Sequence, residues 1–213
     1  MGRASAGRGP ELPIFEATTS DAPAPGSDPD LVRADDAMVD GFGRRIEYLR
    51  ISVTDKCNLR CVYCMPMEGL PWIPKSDLLS WEEIRDIVTT MAPMGLKSVR
   101  LTGGEPLVRR EVPKLVRMLH DVPGIEDLSL STNAVLLEEN AEALRDAGLN
   151  RVNVSLDSLR DDRIDEIARR PGSAEKIWRG LAAADRAGFH PLKINVVLMR
   201  GRNDDEVEDF ARL

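Results

Sequence analysis

The chain has 213 residues, a net charge of −7, 42% hydrophobic and 31% charged residues. That balance suits one hydrophobic core or slightly more, and it disfavours a broad nucleic-acid surface, which needs a basic excess. No apolar run approaches the roughly 18 residues of a membrane span, and no apolar segment of a secretory signal opens the chain, so a cytoplasmic protein with no membrane partner is expected.

Residues 1–35 hold five of the fourteen prolines, spaced by Gly, Ser, Ala and Asp with no apolar period. They read as a disordered tail, with its boundary near residue 40. From about residue 45, β-branched runs alternate with helical patterns. Strands are expected at YLRISV (48–53), SVRL (98–101), DLSLS (127–131), RVNVSL (151–156) and KINVVL (193–198). Four helical stretches stand between or after them. SWEEIRDIVTTMAPMG opens on Ser80 with Glu83 completing a capping box, and ends at Gly95. LEENAEALRDAG ends at Gly148, and SAEKIWRGLAAADRAG runs from Ser173 to Gly188. NDDEVEDFARL starts at Asn203 with Glu206 at the box position. MGLKSVRL, AGLNRVNVSL and AGFHPLKINVVL each join a helix-ending glycine to a strand by a short link. Such β-α repeats predict an α/β fold with parallel strands, as a partial (β/α) barrel or an open sheet. Either architecture binds ligands at the carboxyl ends of the strands.

All three cysteines, Cys57, Cys61 and Cys64, fall in CNLRCVYC just after the first strand. Thiolates select zinc, copper(I) or iron–sulfur clusters. Three are one short of a closed zinc site, and His120 and His190 lie far away near helix ends. A four-iron cubane on three cysteines leaves one iron open, as catalytic metal sites do. The spacing also matches a helical stripe, so buried core cysteines are the alternative.

GGEP (103–106) follows the second strand. Its glycines permit close backbone approach to a ligand, and its carbonyls and the Glu105 carboxylate can accept from an ammonium; a plain turn is the alternative. Arg50, Arg100 and Lys193 lie in otherwise apolar strands. One such cation alone would snorkel outward, but three on separate strands of one barrel point to a polyanion inside. Arg109, Arg110, Arg169 and Arg170 suit a second anion patch or plain solubility.

C-x3-C-x2-C with an aromatic before the last cysteine resembles the radical S-adenosylmethionine superfamily. More narrowly, LRISVTDKCNLRCVYCMP, VRLTGGEPLVR, LSTNA, RVNVSLDSL and KINVVLMRGRNDDEV resemble, in order, the GTP 3′,8-cyclase family of molybdenum cofactor biosynthesis. The resemblance implies an incomplete radical SAM barrel over residues 45–213. It implies a [4Fe-4S] cluster on Cys57, Cys61 and Cys64, with S-adenosylmethionine as the missing fourth ligand. Tyr63, Gly104, Glu105 and Ser155 would bind that cofactor, and Arg50, Arg100, Ser131 and Lys193 would bind GTP. The implied reaction takes the 3′ hydrogen of GTP and closes C3′ onto C8. A partner enzyme would then form cyclic pyranopterin monophosphate, and a homodimer is an arrangement the resemblance allows.

Two residues depart from the family pattern: Ser131 stands where many members have Thr, and Ala134 where many have Gly. The family's sixth strand, second three-cysteine cluster and Gly-Gly tail are absent. The resemblance therefore predicts a truncated chain with KINVVL as an exposed edge, apolar on both faces. Such a chain would be marginally stable, would cleave S-adenosylmethionine weakly and would cyclise GTP at background. An inactive fragment, a radical SAM enzyme with another substrate and a non-catalytic metal-binding module are the competing readings.

Overall fold

The computed structural model describes residues 37–213, and the expected tail over 1–35 lies outside the described residues. The described chain is tied down ahead of residue 40, where the Met38 amide donates to Met94 O and accepts, through its carbonyl, from the Ile46 amide. Five parallel strands form one sheet in the order β1-β2-β3-β4-β5. They are β1 Tyr48–Ser52, β2 Ser98–Thr102, β3 Asp127–Thr132, β4 Arg151–Ser155 and β5 Lys193–Asn195.

Side chains alternate between the two faces of a strand, and register partners share a face. Leu49, Ile51, Val99, Leu101, Leu128, Leu130, Val152, Val154 and Ile194 form the apolar face. Against it lie α1 Trp81–Met91, α2 Val112–His120, α3 Ala141–Asp146, α4 Asp161–Ala168 and α5 Ser173–Arg186. The chain finishes with α6 Val207–Arg212. Apolar residues at helical spacing drive this packing: Val112, Leu115, Val116 and Leu119 are all buried on α2. Each fully buried leucine contributes about 2 kcal/mol. The expected capping box is formed: the Glu83 amide donates to Ser80 Oγ at 3.1 Å, and the Ser80 amide donates to Glu83 Oε2 at 2.7 Å.

Three expectations are corrected. First, α2 and α4 were not among the four helical stretches. Pro113 stands in the first turn of α2, where its missing N–H costs nothing. Second, KINVVL is a strand only over Lys193–Asn195. The Val197 amide turns to Asp157 Oδ1 at 2.9 Å and the Asn203 side chain donates to Val197 O at 2.9 Å, so the chain leaves the sheet. Nor is this edge apolar on both faces, since Lys193 and Asn195 share the face opposite Ile194. Third, Asn203 and Glu206 form no capping box. Glu206 is 1% exposed and turns inward, accepting from Ser158 Oγ at 2.8 Å and the Leu159 amide at 2.6 Å, and pairing with Arg163.

Helix α5 approaches the loop after β3 so closely that a Cβ on Gly180 would lie 2.2 Å from Ala134 O. Ala134 itself has φ 62°, a left-handed conformation that glycine adopts without strain. Gly180→Ala should therefore lower the unfolding free energy by about 2 kcal/mol through overpacking. An unchanged urea midpoint would show that α5 shifts freely.

Burial opposes ionisation of Glu206, but the Leu159 amide, the Ser158 hydroxyl and the Arg163 guanidinium more than offset it, so its carboxyl titrates below the ordinary value of 4.5. Stability from this group is complete above pH 4.5 and is lost as pH falls through the lower folded value. Acid unfolding should accordingly be less steep for Glu206→Gln than for the unaltered chain; parallel curves would contradict this.

Candidate functional site

The cysteines follow β1 through Val53, Thr54, Asp55 and Lys56. That lead-in is pinned to the loop after β2: the Gly104 amide donates to Thr54 O at 2.7 Å, and the Glu105 amide to Lys56 O at 2.8 Å. A Cβ on Gly104 would sit 2.4 Å from Lys56 O and 2.5 Å from Asp55 O. The close approach that the GGEP glycines permit is thus to the chain's own backbone, whereas the sequence reading assigned it to a ligand.

Cys57 and Cys61 are half-buried and Cys64 is exposed. The Leu59 amide points at Cys57 Sγ at 3.4 Å, and the Cys64 and Met65 amides both turn back to Cys61 O. Burial pushes the Cys61 thiol up to about 12, with Asp157 and the two other thiols adding to the shift, and burial also raises Cys57. Among the described residues, no three His, Cys, Asp or Glu side chains converge tightly enough to hold one metal ion. Three thiol donors on one loop have the chemistry of an iron–sulfur ligand set, in which positive iron would offset the cost of three adjacent thiolates. His120 and His190 pair with Asp121 and Asp185 at helix ends, as expected.

Glu105 is 1% exposed and carries three hydrogen bonds. Its Oε1 accepts from Thr132 Oγ1 at 2.8 Å and the Leu107 amide at 3.1 Å, and its Oε2 accepts from the Asn133 amide at 2.7 Å. Burial pushes this carboxyl up, and the three donors pull it back. The side chain is therefore committed to joining the β2 and β3 loops, and the expectation that the carboxylate accepts from a bound ammonium narrows to the main chain of Gly104 and Glu105. Asn133, which the sequence reading did not single out, sits on this clamp. Its Nδ2 donates to Asn58 Oδ1 at 2.7 Å and lies 3.8 Å from Cys57 Sγ.

Tyr63 is half-exposed, and its hydroxyl donates to Asp157 Oδ2 at 2.8 Å. Burial and then this bond raise its phenol. A cavity of about 40 Å³ brings together Cys61, Tyr63, Asn133, Ser155 and Asp157. Cys61, Tyr63 and Ser155 were expected here; Asn133 and Asp157 are additions, legible only as polar residues just past a strand end.

The sheet face away from the helices is polar throughout. Register aligns Arg50, Arg100, Ser129 and Arg151 in one row, and Ser131, Asn153 and Lys193 in the next. The expected cations therefore share one face, as does Ser131; among the described residues no helix covers that face, and Arg50 and Lys193 are exposed on it while Arg100 and Ser131 are half-buried. Arg100 is oriented by Ser129 Oγ at 3.2 Å from its Nε and by the Tyr48 ring at 5.4 Å. Arg151 is neutralised by Asp127. Among the described residues, Arg50, Arg100 and Lys193 have no carboxylate within ion-pair distance. Arg50 and Arg100 are moreover direct register partners on strands ~4.8 Å apart, a like-charge pairing that disfavours itself unless an anion is supplied.

Three of the four arginines read as a second anion patch are otherwise employed. Arg109 stacks on Trp81 at 3.6 Å and donates to Val53 O and Leu79 O. Arg169 and Arg170 donate to carbonyls of the cysteine loop, and Arg110 is exposed.

Residues 51–213 match the model of the radical SAM superfamily. Similar proteins include GTP 3′,8-cyclases of Listeria monocytogenes serotype 4b, 53% identical over 82% of this chain and 52% of that one, and of Pelotomaculum thermopropionicum, 53% identical over 83% and 54%. The chain spans about half the length of the curated relatives it matches. Among solved structures, Streptococcus suis SuiB matches with a TM-score of 0.62 at 17% identity over 78% of this chain and 36% of that one. HydG, a maturase of the [FeFe]-hydrogenase, matches with 0.58 at 17% identity over 70% and 34%. These two likenesses bear on the fold alone.

Glu105→Gln keeps the shape but sets an amide NH2 against one of three buried donors. It should cost roughly 2 kcal/mol of unfolding free energy. An unchanged urea midpoint would mean that the clamp rearranges without penalty.

Proposed function

The chain belongs to the radical SAM superfamily, and we propose that it carries the cluster, cofactor and triphosphate elements of a GTP 3′,8-cyclase of molybdenum cofactor biosynthesis. Membership implies a [4Fe-4S] cluster and S-adenosylmethionine, and a structural neighbour is described with bound AdoMet. When bound, the pair supplies one-electron reductive cleavage and hydrogen-atom abstraction. Everything else falls to the protein, as binding, orientation and exclusion of water.

In this reading residues 45–213 act as the radical SAM core. Cys57, Cys61 and Cys64 would hold the cluster. Tyr63, the main chain of Gly104 and Glu105, and Ser155 receive S-adenosylmethionine at the strand ends. Arg50, Arg100, Ser131 and Lys193 bind GTP, with the cations meeting its triphosphate. The observation that carries the substrate is the Arg50–Arg100 register pair, with Lys193 on the same face three strands away from Arg100, all without carboxylate partners among the described residues. Guanidinium groups match phosphate geometry, and a neutral peptide substrate would leave their repulsion unrelieved. A downstream enzyme converting the cyclised nucleotide to cyclic pyranopterin monophosphate, a homodimer and a cytoplasmic location belong to the same proposal. Among the described residues no helix is long and apolar enough to cross a membrane.

The test is anaerobic reconstitution followed by GTP titration. The chain should take up about four irons, and each of Cys57→Ala, Cys61→Ala and Cys64→Ala should abolish the cluster. Arg100→Ala should weaken GTP binding about tenfold or more, roughly 1.4 kcal/mol. Full iron retention by Cys61→Ala would sink the cluster assignment. GTP binding indifferent to Arg50, Arg100 and Lys193 would sink the substrate assignment.

A further inference from the structure

The loop that carries the cysteines has a seat. Helix α4 ends at Ala168, and a helix end leaves its last carbonyls without intrahelical partners. Two of them are met by the cysteine loop: the Arg60 amide donates to Ala168 O and the Val62 amide to Ile167 O, both at 3.0 Å. The next two residues return the contact. Arg169 Nη1 donates to Met65 O at 3.3 Å, and Arg170 Nη1 donates to Asn58 O. Four bonds from four consecutive residues thus bracket the loop from Asn58 to Met65.

The seat is itself stiff. Asp165 in α4 accepts from the amides of Gly172, Ser173 and Ala174, fastening the start of α5 to the end of α4. Within the loop, Arg60 Nη1 donates to Cys57 O and Leu59 O at 2.8 Å each, and its guanidinium lies 5.4 Å from the Trp72 ring. Arg169 has φ 51°, a left-handed conformation costing an L-residue about 1 kcal/mol or more that glycine would avoid. An arginine held there is explained by what its side chain reaches.

We infer that Arg169 and Arg170 are positioning residues that order the cysteine loop on the end of α4 before any cluster is present. This rests on the cluster reading for its purpose, since a loop already shaped gives up less conformational entropy when three thiolates close on iron.

The test follows from the strain at Arg169. Arg169→Gly relieves the backbone while removing the guanidinium, so core stability should hold or rise as the loop loosens. Hydrogen exchange of the cluster-free chain reads both at once. The pair Arg169→Gly with Arg170→Gln should raise exchange across residues 58–65 at least tenfold and leave β2 and β3 unchanged. It should also slow iron and sulfide incorporation several-fold, and Arg170→Lys alone should restore most of the protection lost in Arg170→Gln. Unchanged loop exchange would overturn the inference. So would loop and core loosening together, which would reduce the arginines to general stability. Should the unaltered chain fail to take up iron, the cluster reading falls, and the exchange result still decides the seat.

Discussion

A parallel sheet is ordinarily covered on both faces, because its strands have no other way to bury two apolar sides. Here helices cover one face, and the strands meet that constraint by alternation. Leu, Ile and Val point toward the helices, and Arg, Ser, Asn and Lys point away. Every candidate substrate residue owes its direction to that period of two. A one-residue slip in any strand would drive a charge into the core and a leucine onto the open face. The fold and the cation-bearing surface therefore share one register.

Much of this was legible in the residues. β-branched runs bounded by glycine-ended helices gave four of the strands nearly to the residue, and Ser80 with Glu83 marked the start of α1 because a capping box is a local exchange of two hydrogen bonds. The cysteines, the GGEP loop and the three strand cations were legible because each is chemically odd for its surroundings. What escaped was non-local. Nothing near KINVVL announces that Asp157 and Asn203 draw its second half out of the sheet. Nothing in GGEP tells a carboxylate reaching for a ligand from one reaching for Thr132 and Asn133. Nor do exposed-looking arginines at 169 and 170 reveal that they face carbonyls more than a hundred residues earlier in the chain.

Two carboxylates organise the surroundings of the thiols, with no cation paired to either among the described residues. Glu105 collects donors from the β2 and β3 loops, and Asp157 collects the Tyr63 hydroxyl and the Val197 amide. Neutral donors hold a carboxylate in place without cancelling its charge. The strand-end region is thus braced by two carboxylates, and Arg60, Arg169 and Arg170 add guanidinium contacts to carbonyls of the same cysteine loop.

The pinning of Gly104 and Glu105 onto Thr54 and Lys56 also governs where this chain can change length. Between β1 and Cys57 the backbone is spoken for on both sides, by hydrogen bonds at 2.7 and 2.8 Å and by a gap too narrow for a Cβ. An insertion or deletion there would move the first thiol relative to the β2 loop and open both bonds. Past Cys64 the situation reverses. From Pro66 to Leu79 the chain lies largely at the surface, with Met67, Leu70 and Ile73 exposed and few backbone bonds to the rest of the molecule. Natural variation in length should accordingly accumulate after the third cysteine and avoid the residues before the first, so that the two flanks of one motif drift at different rates.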